Sequence, residues 1–190
     1  MTALLELKQK IKNLYGQYEI YILPFLRFVL ALVYFLWINA NMGYMTQLNN
    51  IFIVLIFALI CSILPSSVMI FVGFVLMIAH SYAVGIEVAG FMLVLTLFMT
   101  ILFLRFSAGN NLVLVFTPLS FGFSVPTLLP IGSGLLCNAS SALPAGCGVM
   151  VYYFIRFIRV QSKYLENTDV AMADKLKHLA DGIVQNWGMW

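Results

Sequence analysis

The residues in this chain best suited to chemistry are His80 and Glu87, seven positions apart in an otherwise apolar stretch. On a helix that ran on through Gly85 they would share one face, two turns apart. There an imidazole that titrates near neutrality and a carboxylate would make a proton relay. The competing reading, and the preferred one, is a histidine at the lipid headgroup level, hydrogen-bonded to a neighbour. Glu87, Arg27, Arg105 and Arg156 all sit where a membrane span is expected to begin or end. Snorkelling or pairing with a helix end accounts for them there.

A second constellation is a doubled pattern. Leu129-Pro130-Ile131-Gly132-Ser133-Gly134 and Leu143-Pro144-Ala145-Gly146-Cys147-Gly148 repeat Leu-Pro-x-Gly-small-Gly at a spacing of fourteen. Pro118 and Pro126 interrupt the same apolar run upstream. Proline and glycine inside a span free backbone N–H and C=O groups that lipid cannot satisfy, so the segment must face protein or water. Three readings compete. Glycines at this spacing let helices approach closely, which ranks first. Half-helix starts aimed at an anion, or carbonyls lining an ion path, rank second. Chance in a biased composition ranks third.

Cys61, Cys137 and Cys147 lie in apolar surroundings and read as buried, unreactive thiols. Cys137 and Cys147 can pair only if their loop faces an oxidising compartment. No Cys/His spacing suits zinc, an iron–sulfur cluster or haem, so no metal or cofactor is expected. There is no nucleophile–base pair, phosphate-binding loop or zinc-protease signature either, and enzyme is the least favoured class.

The elements that must position these residues follow from composition. Hydrophobic residues make up 63% of the chain and charged residues 9%, against about 25% charged in an ordinary soluble domain. Between Phe28 and Ile155 the only full charges are Glu87 and Arg105. A bilayer demands so long an uncharged run; a sealed soluble core does not. The net charge of +3 therefore speaks to topology and not to nucleic acid, which is not expected as a partner.

The reading is an all-α integral membrane protein with about six transmembrane segments and amphipathic cytoplasmic helices at both ends. Residues 1–19 form the first amphipathic helix, 20–160 the membrane domain, and 161–190 a cytoplasmic linker and helix. The spans are expected over 20–38, 51–64, 68–79, 86–106, 112–136 and 143–160, the fifth broken by its prolines. The second and third are short and read as a tight hairpin. Lys8, Lys10 and Lys12 precede the first span, and Arg156, Arg159 and Lys163 follow the last. The positive-inside rule then places both termini in the cytoplasm and requires an even number of crossings.

Two functions fit this object. The leading one is a small, oligomeric channel or transporter-type protein. Its solute or ion path would pass Pro118, Pro126, Pro130, Gly132, Gly134, Pro144, Gly146 and Gly148. The alternative is a non-catalytic membrane subunit or scaffold of a larger complex. It would dock partners through Met172, Leu176, Leu179, Ile183 and Trp187, which recur at helical spacing near the C-terminal end. In either case the partners are the lipid bilayer and further copies or other membrane subunits.

Overall fold

The computed structural model describes residues 2–106, 111–125, 132, 142–166 and 171–187. Among them are seven α-helices and no strand. They are α1 (Thr2–Met42), α2 (Ile51–Ile63), α3 (Ser66–Val84), α4 (Ile86–Phe106), α5 (Asn111–Gly122), α6 (Ala142–Leu165) and α7 (Met172–Trp187). By length and composition two stretches are sufficient to cross a bilayer, Gly16–Met42 and Ser66–Val84. The apolar parts of α2, α4 and α5 are shorter.

The expected boundary between an N-terminal surface helix and a first span is absent. α1 is one helix of 41 residues, about 62 Å long, and it passes through Pro24 without ending. The carbonyl of Pro24 accepts the Ser62 hydroxyl at 2.8 Å, tying α1 to the end of α2. Asn39 and Asn41, assigned to a loop from sequence, belong to the last turns of α1. The tight turn expected between 51–64 and 68–79 is present: α2 turns at Leu64 and Pro65 directly into α3. Asn50 caps α2, its side-chain oxygen accepting the Phe52 N–H at 3.0 Å.

Core residues follow helical stripes. α2 buries only Val54, Ala58 and Cys61, and α4 buries Val88, Met92, Thr96 and Met99. The centre is filled by Tyr34, Phe35, Ile38, Met77, Phe154 and Ile158. The outward faces carry no compensating polarity. α2 exposes Ile51, Phe52, Leu55, Ile56, Leu59, Ile60 and Ile63, and α4 exposes Leu93, Val94, Leu97, Phe98 and Ile101. A helix apolar on every side belongs in a large core or in lipid. Three buried hydroxyls bond within their own helices, Ser81 to Met77, Thr96 to Met92 and Thr117 to Val113, whereas the buried Tyr34 hydroxyl has no partner among the described residues.

The helix directions differ from those expected for six crossings with both ends on one side. α1 and α3 run parallel, Tyr34 lying against Gly73 and Asn39 against His80. α6 runs the same way. Trp37 stacks on Tyr152 with ring centroids 6.2 Å apart, and further along both helices Arg159 Nη1 donates to Asn41 Oδ1 at 3.1 Å. The end of α6 meets the α3–α4 junction, where a Cβ on Gly85 would stand 3.7 Å from the Leu165 carbonyl. The start of α1 and the end of α6 therefore lie at opposite ends of the bundle. The reason is α5, which stops after 12 residues, about 18 Å, instead of completing one long kinked span. Its end turns at Gly122–Ser124, with Ser124 in the left-handed region at φ 60°.

The C-terminal linker also differs from expectation. α6 continues through Leu165, and α7 begins at Met172. α7 packs on α4 and α6, burying Lys175, Leu179 and Gly182.

Candidate functional site

Two regions carry the chemistry. The first is a polar cap where α1, α3 and α6 end together. His80 is fully buried there, and both its ring nitrogens are engaged. Nδ1 accepts the Met45 backbone N–H at 3.2 Å, so the ring hydrogen sits on Nε2 and is donated to Asn39 Oδ1 at 2.8 Å. Asn39 Nδ2 then donates to the Leu48 carbonyl at 3.0 Å. This chain of bonds fastens the loop between α1 and α2 onto α1 and α3.

Glu87 is not joined to it. α3 ends at Val84, Gly85 is extended at φ 174° and ψ 149°, and Glu87 lies in the first turn of α4. Its Oε2 folds back to 3.1 Å from where a Cβ on Gly85 would stand. The acid therefore serves the positive end of the α4 dipole, as its position suggested. The helix continuity that would align His80 with Glu87 is missing. What sequence reasoning missed is the partner of His80: Asn39, forty-one residues upstream, is visible only once α1 and α3 pair.

Replacing His80 with Leu keeps the volume and removes both bonds. It leaves the Met45 N–H and Asn39 Oδ1 short of a partner, at about 1–3 kcal/mol for each buried group. We expect His80→Leu to raise amide hydrogen exchange in the segment 43–50 and lower the thermal midpoint. Unchanged exchange there would show that the histidine does not hold the loop.

The second region is the seam between α5 and α6. These helices run parallel, not as the antiparallel arms expected from sequence: Thr117 lies against Gly148, and Phe121 against Tyr152 at 5.2 Å between ring centroids. Gly148 is buried, and a Cβ there would come within 2.9 Å of Thr117 Cγ2. Pro118 is buried beside this contact, within α5. Pro144 is buried in the first turn of α6, where its missing N–H costs nothing. Gly122 meets the Trp37 indole, with no room for a Cβ. Gly146 is exposed, and among the described residues nothing lies within 4 Å of a Cβ added to it or to Gly132. Pro126, Pro130 and Gly134 lie outside the described residues, so the first copy of the repeat is represented by Gly132 alone.

Cys61 and Cys147 are buried free thiols, and Cys137 lies outside the described residues. On α7 the stripe assigned to partners is divided. Leu179 is fully buried in the chain's own core, whereas Met172 and Leu176 are exposed. The side chains of Ile183 and Trp187 lie outside the described residues. His178 is half-buried beside Phe157 and Tyr164, at 5.6 and 4.9 Å between ring centroids.

No protein-family model matches this chain, and neither does any curated protein or solved structure.

Proposed function

We propose that this chain is a multi-pass membrane protein of channel or transporter type, without catalytic activity, whose solute path runs beside α5 and the start of α6. The observation that carries the reading is the shape of this region. α5 stops alongside Trp37, α6 starts again from the other end, and the two run parallel. The end of α5 and the start of α6 therefore stand apart along the bundle, beside apolar helices. Helix ends at membrane depth leave backbone groups that lipid cannot satisfy, so they are tolerated only where protein covers them or water lines them. Transporters with broken helices place their binding sites at such points.

Membrane embedding is itself part of the proposal. A core helix of a soluble protein can match the length and hydropathy of α1 or α3. Such a helix is mostly buried, however, and only 17% of the apolar window in α1 is buried. Exposed apolar faces this large are unusual on soluble monomers.

Gly132 and Gly146 test the path directly, because among the described residues nothing lies within 4 Å of a Cβ added to either. Gly132→Val and Gly146→Val should leave assembly intact and lower flux in proteoliposomes loaded with potassium, sodium, chloride or an amino-acid panel. Flux no greater than in empty liposomes across that panel would defeat the reading. So would flux that ignores both substitutions.

The rival, a non-catalytic subunit of a larger complex, is favoured by one feature: Met172 and Leu176 remain exposed on α7 while Leu179 anchors the helix. In that case Met172→Asp with Leu176→Asp should strip partners from the natively extracted protein. Unchanged co-purification would remove this reading.

A further inference from the structure

A groove of about 700 Å³ lies between α1 and α5, within the roughly 300–1,000 Å³ typical of small-molecule sites. Its walls are Leu23, Leu26, Leu30 and Val33 from α1, with Phe116 and Phe123 from the α5 side. Along α1 it extends from Leu23 to Val33, about 15 Å at helical rise. That is half of a hydrocarbon core of about 30 Å, the depth of one leaflet. The lining is apolar except at Arg27, Ser66 and Ser120.

Arg27 is the cation of the lining, and its placement gives the groove a direction. Its Nη1 lies 3.5 Å from the Leu64 carbonyl, at the turn that leads into α3. The guanidinium therefore stands at the mouth, level with Ser66 in the first turn of α3. A fixed positive charge and the positive end of a helix dipole converge there, and the apolar channel leads inward from them. The phosphate of any phospholipid can accept two hydrogen bonds from an arginine fork. An anionic headgroup keeps its net negative charge, whereas the choline cation of a zwitterionic one is repelled by the positive charge fixed here. Basic pockets between membrane helices bind anionic headgroups on this principle.

We propose that the α1–α5 groove holds one acyl chain of an anionic phospholipid, with the phosphate on Arg27 at its mouth. The inference rests on the membrane-embedded reading of the bundle, and its test separates the two. Alkaline carbonate extraction of the full chain comes first: recovery in the soluble fraction overturns the membrane premise, and with it this assignment. Protein that stays in the membrane pellet is purified, delipidated and titrated with palmitoyl-oleoyl phosphatidylglycerol or phosphatidylcholine under native mass spectrometry. The expected result is one retained phosphatidylglycerol, preferred over phosphatidylcholine by about tenfold or more. Arg27→Gln should abolish the preference. Val29→Trp should fill the groove and lower retention of both lipids. Equal retention of the two lipids by the wild type would overturn the lipid assignment alone. Retention that neither variant changes would do the same.

Discussion

Cysteines placed at Lys10 and Lys163, in a chain whose own cysteines are replaced by serine, should react with an impermeant maleimide from opposite sides of the membrane. Lys10 lies near the start of α1, and Lys163 is exposed near the end of α6. The parallel course of these helices is fixed by the Trp37–Tyr152 stack and the Arg159–Asn41 hydrogen bond. A third reporter, Gln47→Cys in the loop that follows α1, should label together with Lys163→Cys, because His80 and Asn39 tie that loop to the same end. The effect is all or none. Labelling of all three from one side would mean that α1 does not cross. Labelling of Lys10→Cys and Lys163→Cys from one side, with Gln47→Cys from the other, would restore an even number of crossings.

This disposition also changes what the charges can say. Lys8, Lys10, Lys12, Arg27 and Arg105 belong to one end of the bundle, by their places on α1 and α4. Arg156, Arg159, Lys163, Lys175 and Lys177 belong to the other, on α6 and α7. Five basic residues at each end leave the positive-inside rule without a majority. The rule was decisive for an even count only because it assumed that both basic clusters share a side. Which end faces the cytoplasm is left to the labelling itself.

Local chemistry was legible in the sequence where it depended on near neighbours. The all-helical class followed from the long uncharged run. The tight α2–α3 turn followed from Pro65-Ser66-Ser67, and the place of Glu87 in the first turn of α4 followed from the helix dipole. The tolerance of Pro144 is that of any proline in a first turn. What failed depended on distant contacts. Gly122, the last residue of α5, lies against the indole of Trp37, eighty-five residues upstream, where there is no room for a Cβ. The sequence around Pro118 reads as a continuing, kinked helix, and within α5 the Thr117 and Ser120 hydroxyls do bond carbonyls beside the proline, those of Val113 and Thr117, at 2.7 and 2.9 Å. The stripe on α7 was legible as a stripe, but its division between core and surface is decided by where α4 and α6 stand.

The seam between α5 and α6 should be the most sensitive place in the molecule to a single added side chain. Gly148→Leu drives a Cβ and more into Thr117, on a helix backbone that cannot retreat without moving α5 off α1. Overpacking of a close helix contact costs about 1–3 kcal/mol and occasionally more, so the variant should lose monodispersity in detergent and unfold at lower temperature. Gly146→Leu, two residues away with open space beside it, is the control. It should be neutral or slightly stabilising, since glycine is about 0.8–1.0 kcal/mol worse than alanine in a helix interior and leucine ranks just below alanine. Compensation sharpens the test. Thr117→Ala should not rescue Gly148→Ala, because the nearest atom to the added Cβ is the Thr117 Cβ itself. Thr117→Gly removes that atom and should restore part of the loss, with a coupling energy of about 0.5–3 kcal/mol in a double-mutant cycle. A cycle with no coupling would mean that α5 and α6 do not meet at this pair, and the parallel arrangement built on it would have to be redrawn.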